Sequence, residues 1–154
     1  MFGLRRLGGA LAIIVATTTP VLAEQQPAPA GHIKVVSGSA FIVRNSATVA
    51  ARPGLLVFPT DALRTGGDGS VGITMSDNSL LSAGPNSVLS LDKYAFDTTT
   101  NQGQFDASLR KGSMSVVSGR IAKQSPDAMT VRTPSAILGV RGTEFVVRAS
   151  DGSP

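Results

Sequence analysis

The chain has 154 residues, enough for one domain with its own core, and 42% of them are hydrophobic while none is cysteine. Disulfides, a lipid-modified N-terminal cysteine and thiolate metal sites are therefore excluded, and a single histidine, His32, rules out a histidine cluster. The formal charge of +4 is scattered along the chain, which argues against the clustered Lys/Arg footprint of a nucleic-acid binder.

The first 23 residues read as an export signal. Arg5-Arg6 supply the basic start, Leu7 to Val15 a short apolar run, and Val21-Leu22-Ala23 a small-residue cleavage site after Ala23. An uncleaved anchor is the alternative, but the apolar run falls short of the roughly 20 residues needed to span a bilayer. No membrane span is expected after cleavage, and the expected location is periplasmic or secreted. The arginine pair leaves both the general and the twin-arginine export routes open. Residues 24–31, E-Q-Q-P-A-P-A-G, form a solvated linker. The ordered domain is expected over 32–149, with a tail at 150–154.

Ile33-Lys34-Val35 and Ala40 to Val43 read as two strands joined at Ser37-Gly38, with Asn45-Ser46 ending the second. Leu55 to Phe58 is a further run, closed by Pro59 ahead of Asp61. From there Val71 to Met75, Leu80 to Ala83 and Val88 to Leu91 are separated by Asp77-Asn78 and Gly84-Pro85-Asn86. This places a short strand about every eight or nine residues, as in stacked β-rungs or a tight meander. No window of about 12 residues keeps helical apolar spacing without a Gly or Pro, so the fold class is all-β.

Phe96 to Gln102 is a polar interruption, an exposed loop or hairpin tip. Alternation then returns: Phe105, Ala107 and Leu109 face inward, Gln104, Asp106, Ser108 and Arg110 outward. Lys111-Gly112 is expected to turn the chain, Met114 and Val116 point inward again, and Gly119 to Ala128 reads as a polar loop. Thr133-Pro134 opens the last segment, in which strands Ala136–Val140 and Thr143–Val147 flank a corner at Arg141-Gly142. Gly139 and Gly142 let that corner bend. The Phe145 to Arg148 strand either pairs internally or lies at an edge that could accept a partner's strand.

Chemistry-bearing candidates are few. His32 has no accompanying nucleophile motif and reads as a surface residue. Asp68-Gly69-Ser70 and Asp77-Asn78-Ser79 lack the alternating carboxylates of a calcium loop and read first as turns. Asp61, Asp68, Asp77, Asp92, Asp97 and Asp106 could supply a hydrolytic pair, but nearly all stand beside turn residues. Tyr94 and Phe96 are the close aromatic pair available as a sugar platform. Arg141 is read as forking its guanidinium onto a carboxylate, with Asp61 and Glu144 as the candidate mates, or onto several turn carbonyls, and so locking the corner; Arg141→Lys is expected to lower thermal stability clearly. Arg141, Tyr94 and Phe96 are thus the candidate binding residues, with no catalytic residue, metal site or cofactor expected.

T-P-x-A-x-x-G-V-R-G-T-E-F, at Thr133 to Phe145, resembles the signature of FecR-type periplasmic domains. Asp61 to Gly66, Gly69 to Ile73, Asp77 to Leu80, Gly84 to Ser87 and Lys111-Gly112 match earlier parts in the same order. The resemblance covers His32 to Arg148. It implies an all-β, twisted, solenoid-like pair of sheets, which periodicity alone does not separate from a sandwich. It also implies structural roles for the motif residues Asp61, Thr65, Asp77, Pro134, Gly139, Gly142, Thr143 and Glu144. In signalling members of the family this domain is the external part of a sigma-factor regulator and meets a receptor's signalling domain. The function expected here is an exported, non-catalytic binding or sensing module, acting on a periplasmic or envelope protein, a receptor signalling domain among them, or on a ligand. The alternatives are an envelope structural or carbohydrate-binding protein and a carboxylate-dependent polysaccharide-cleaving enzyme.

Overall fold

A computed structural model describes residues 23–150, together with Gly3 and Pro20. Nearly all of the expected export signal, and residues 151–154 of the expected tail, lie outside the described residues. In chain order the strands are β1 (Gly31–Ser37), β2 (Ala40–Arg44), β3 (Ala47–Ala50), β4 (Leu56–Val57), β5 (Ala62–Thr65) and β6 (Ser70–Met75). They continue with β7 (Leu80–Ala83), β8 (Val88–Phe96) and β9 (Gly103–Val117), then a short helix α1 (Arg120–Gln124), β10 (Met129–Arg132), β11 (Ile137–Gly139) and β12 (Glu144–Ala149).

All twelve strands belong to one strongly curled sheet, antiparallel except where β10 runs alongside β9. The all-β expectation holds: the short strands form one curled sheet whose two halves close over one core. One half runs β3-β2-β5-β8-β9-β10-β11 and the other β4-β1-β6-β7-β9-β12. The long strand β9 is common to both. Its Phe105–Ser108 stretch lies between β8 and β10, and its Met114–Val117 stretch between β7 and β12.

The bend that lets β9 serve both halves falls at Gly112, whose φ is +91°. A Cβ there would lie 2.5 Å from the Cα of Ser87, so only glycine fits this crossing. Ser87 secures it by accepting the Ser113 N–H and donating to the Ser113 carbonyl, at 3.0 and 3.1 Å. Lys111-Gly112 is therefore a bend inside a continuous strand, not the turn that its sequence suggests.

Alternation fills the core as expected. Val71, Ile73 and Met75 of β6 and Phe105, Ala107, Leu109, Met114 and Val116 of β9 are all buried, and they meet Ile33, Ile42, Leu63, Leu81, Leu89 and Leu91 in one cluster. At about 2 kcal/mol for each such aliphatic side chain removed from water, many medium-sized residues do the work that the absent tryptophans would otherwise share.

Four expectations change. Ala30 is buried, its N–H bonded to the Val57 carbonyl, so the ordered domain begins before His32 and takes the end of the 24–31 linker with it. β1 and β2 do not pair across Ser37-Gly38; β1 lies between β4 and β6, β2 between β3 and β5, and the turn is a corner between the halves. Asn45-Ser46, with φ of 48° and 66°, does not merely end β2 but closes a two-residue hairpin to β3. Finally, Gly119 to Ala128 is not a bare loop: α1 buries Ile121 and Ala122, because Asp77 accepts from its first-turn N–H groups, Arg120 to the carbonyl at 2.8 Å and Ile121 to the carboxylate at 3.2 Å.

Candidate functional site

Asp77 sits at the β6–β7 turn with none of its surface exposed. Its Oδ1 accepts the Tyr94 hydroxyl and the Ser79 N–H, each at 3.1 Å, and its Oδ2 accepts the Ser79 hydroxyl at 2.7 Å in addition to the Ile121 N–H. Four donors thus hold the carboxylate without a cation. Ser79 Oγ in turn accepts the Gly119 N–H at 2.9 Å, tying this turn to the start of α1.

Tyr94 faces inward, 8% exposed, with its ring edge-on to Phe105 at 5.6 Å. Burial first, and the neighbouring Asp77 charge second, push its phenol well above the ordinary range. Tyr94 is consequently no sugar platform. Phe96 is half-buried and packed against the core, so the aromatic pair expected on the surface is not there.

Asp61, also buried, receives a two-pronged guanidinium from Arg44, Nε to Oδ1 at 2.8 Å and Nη2 to Oδ2 at 2.6 Å, along with the Phe58 N–H at 2.9 Å. Arg44 also donates to the Leu56 carbonyl and stacks over the Phe58 ring at 4.6 Å. The Asp61 hydrogen bond is the main cause of the upward shift of the Arg44 pKa. Thr65 donates to the Gly84 carbonyl at 2.6 Å and accepts the Ser87 N–H at 2.9 Å, fastening β5 to the β7–β8 turn.

The signature corner is held differently from the sequence expectation. Arg141 reaches neither Asp61 nor Glu144; among the described residues it pairs with Asp127 at 3.4 Å, and the two side chains are 81% and 89% exposed. What anchors the corner is Val140, buried against the core, and Ser118, which donates its hydroxyl to the Gly142 carbonyl at 2.9 Å and its N–H to the Thr143 carbonyl at 2.7 Å. Gly142 has φ +130°, as a glycine corner requires. Pro134 lies in an exposed turn closed by Thr133 and Ala136, Gly139 ends β11 in open space, and Glu144 begins β12 opposite Val117. β12 finds its partner in β9, and its other edge is unpaired among the described residues.

A concavity lies on the outer face of the half-sheet that carries β10. Register lines up Val43, Ala62, Ser90, Ser108 and Arg132 across β2, β5, β8, β9 and β10. Small side chains in the middle of this row leave a floor, and Arg64, Arg110, Arg132 and Pro134 rise around it to enclose about 420 Å³. Past Arg64, Val88 and Arg110 the trough continues into a second depression of about 410 Å³ beside Lys111. No carboxylate pairs with Arg64, Arg110 or Arg132 among the described residues. Next to the floor, Asp92 of β8 accepts the hydroxyl of Ser108. Sequence reasoning did not single out these arginines. The signal was present in the alternation, which sets Arg64 two places from Ala62 and Arg110 two places from Ser108, on the outward phase.

The family model described as FecR protein matches residues 61–154. No curated protein and no solved structure matches the chain. The family is one of signal-sensing, regulatory domains associated with the cell envelope. Among the described residues no helix is long and apolar enough to cross a membrane. The matched span takes in the Asp61 and Asp77 locks, the Gly112 crossing and the corner at Val140, and it covers more than half of the chain, which therefore belongs to the FecR family.

Proposed function

We propose that this is an exported, non-catalytic recognition module of the cell envelope, acting through contacts made by the outside of its curled sheet. The observation that carries this reading is the employment of its acidic groups. Asp61, Asp68, Asp77, Asp92, Asp97 and Asp106 each accept a hydrogen bond from a neighbour in the fold, while the arginines of the trough face solvent without carboxylate partners among the described residues. Aspartates held in this way build turns and corners; the free arginines are the groups left to meet another molecule.

The partner side of this reading is a periplasmic or envelope protein, with a receptor signalling domain as the form that the family suggests. The unpaired edge of β12, where Val146 is 61% exposed, supports strand addition as one mode of contact. Crosslinked affinity capture from envelope extracts tests it: one partner should be enriched, and lost when Val146 is replaced by lysine. Turnover of an envelope polymer that disappears with a single Asp→Asn change would instead favour the enzyme alternative.

A further inference from the structure

We infer that the arginine-rimmed trough is a binding site for a carboxylate-bearing polysaccharide, a chain of uronic acid units. This inference rests on the recognition-module reading and names the ligand class of its arginine-rimmed trough. Arg64 on β5 and Arg132 on β10 stand three strand spacings apart and two residues out of register, about 16 Å between backbones at about 4.8 Å per spacing and about 3.4 Å per residue, with Arg110 between them on β9. Cations spread at that interval suit a polymer that repeats its charge, and not a single small anion.

The floor chooses among polyanions. Ser108 already donates its hydroxyl hydrogen to Asp92, so its oxygen has only lone pairs left to offer, and Asp92 beside it is an acceptor too. Ser90 on the same floor keeps a hydroxyl that can donate or accept, so a ligand that brings donors for Ser108 as well as acceptors for the rim uses more of the trough than one that brings acceptors alone. Uronic acid units do both, with ring hydroxyls for Ser108 and Asp92 and carboxylates for the guanidinium forks. Polyphosphate brings acceptors alone. An acidic peptide carries its donors on the backbone, where they serve strand edges, whereas this trough crosses strands β5, β8, β9 and β10 whose edges are already paired. Neutral glycans, which rely on ring stacking, find no aromatic side chain here.

Calorimetric titration of the purified protein with oligogalacturonate, its carboxyl-reduced neutral form, polyglutamate and polyphosphate tests the assignment. Oligogalacturonate should bind with an affinity that falls as salt rises, and the reduced form should not bind. Arg64→Gln and Arg132→Gln should each weaken binding at least about tenfold with unchanged melting, Arg132→Lys should recover part of the loss, and Arg148→Gln on the other half-sheet should change nothing. Equal or tighter binding of polyglutamate or polyphosphate, or no binding of oligogalacturonate, overturns the ligand class. The module reading is judged separately: it stands if envelope capture still succeeds when oligogalacturonate fails, and falls if the oligomer is cleaved.

Discussion

The hydroxyl of Tyr94 and the residue Asp77 are joined twice: the hydroxyl donates to the Asp77 carboxylate at 3.1 Å and accepts the Asp77 N–H at 2.9 Å. This one contact ties the middle of β8 to the β6–β7 turn, and through Ser79 and Ile121 to α1. Because Tyr94 is the sole tyrosine of the chain, the contact has its own optical reporter.

Folding raises the Tyr94 pKa, so the stability it contributes is complete below the unfolded phenol's value of about 10 and is lost as pH climbs above it toward the folded value. In an alkaline titration the phenolate absorbance should appear only together with unfolding, above about pH 10. Phenolate growing in at the ordinary pKa while circular dichroism still reports the native sheet would contradict the contact. Tyr94→Phe leaves the Asp77 N–H buried without a partner and should cost about 2 kcal/mol in urea unfolding.

Arg44→Ala removes both prongs from the buried Asp61 carboxylate, which keeps only the Phe58 N–H. Roughly a third of the Arg44 side chain meets water, so the loss should be about 2 kcal/mol, below the 3–5 kcal/mol of a fully buried pair. Arg44→Lys keeps the charge but loses the fork and the flat stacking on Phe58, and should fall between wild type and alanine in a denaturant titration.

Gly112→Ala should destabilise by about 3 kcal/mol or prevent folding, since it combines a positive φ with a backbone clash at Ser87. Gly139→Ala is the matched control, with open space where its Cβ would go, and should stay within about 0.5 kcal/mol of the parent. Equal melting temperatures for the two variants would deny Gly112 its role as the crossing point of β9.

Arg141→Lys should leave the melting curve unchanged, the reverse of the sequence expectation, because an exposed pair at 3.4 Å contributes little. Val140→Ala and Ser118→Ala, which attack the actual anchors of the corner, should cost about 2 and about 1 kcal/mol. A larger effect at Arg141 than at Val140 would restore the guanidinium-lock reading.

Much of the fold was legible in the residues themselves. The phase of Phe105, Ala107 and Leu109 told which side of β9 is wet, Asn45-Ser46 and Asp77-Asn78 marked turns, and the Thr133 to Phe145 pattern pointed to the family. These are local signals, carried by side-chain period and by backbone preference over a few residues. The same rules failed at Lys111-Gly112, where glycine means a bend in a strand, and at Gly119 to Ala128, where a carboxylate more than 40 positions away in the chain organises a helical turn.

Sequence alone determined the class of element, the inward and outward residues of most strands, and the absence of cysteine chemistry. Tertiary structure decided the partners: Arg44 for Asp61, Tyr94 for Asp77, Asp127 for Arg141, and the placing of Arg64, Arg110 and Arg132 around one floor. The physical reason is that alternation fixes which face a side chain occupies but says nothing of which strand lies alongside. Register between β5, β8, β9 and β10 is set by closing the sheet over a shared core, and that closure alone brings separated arginines to a common rim.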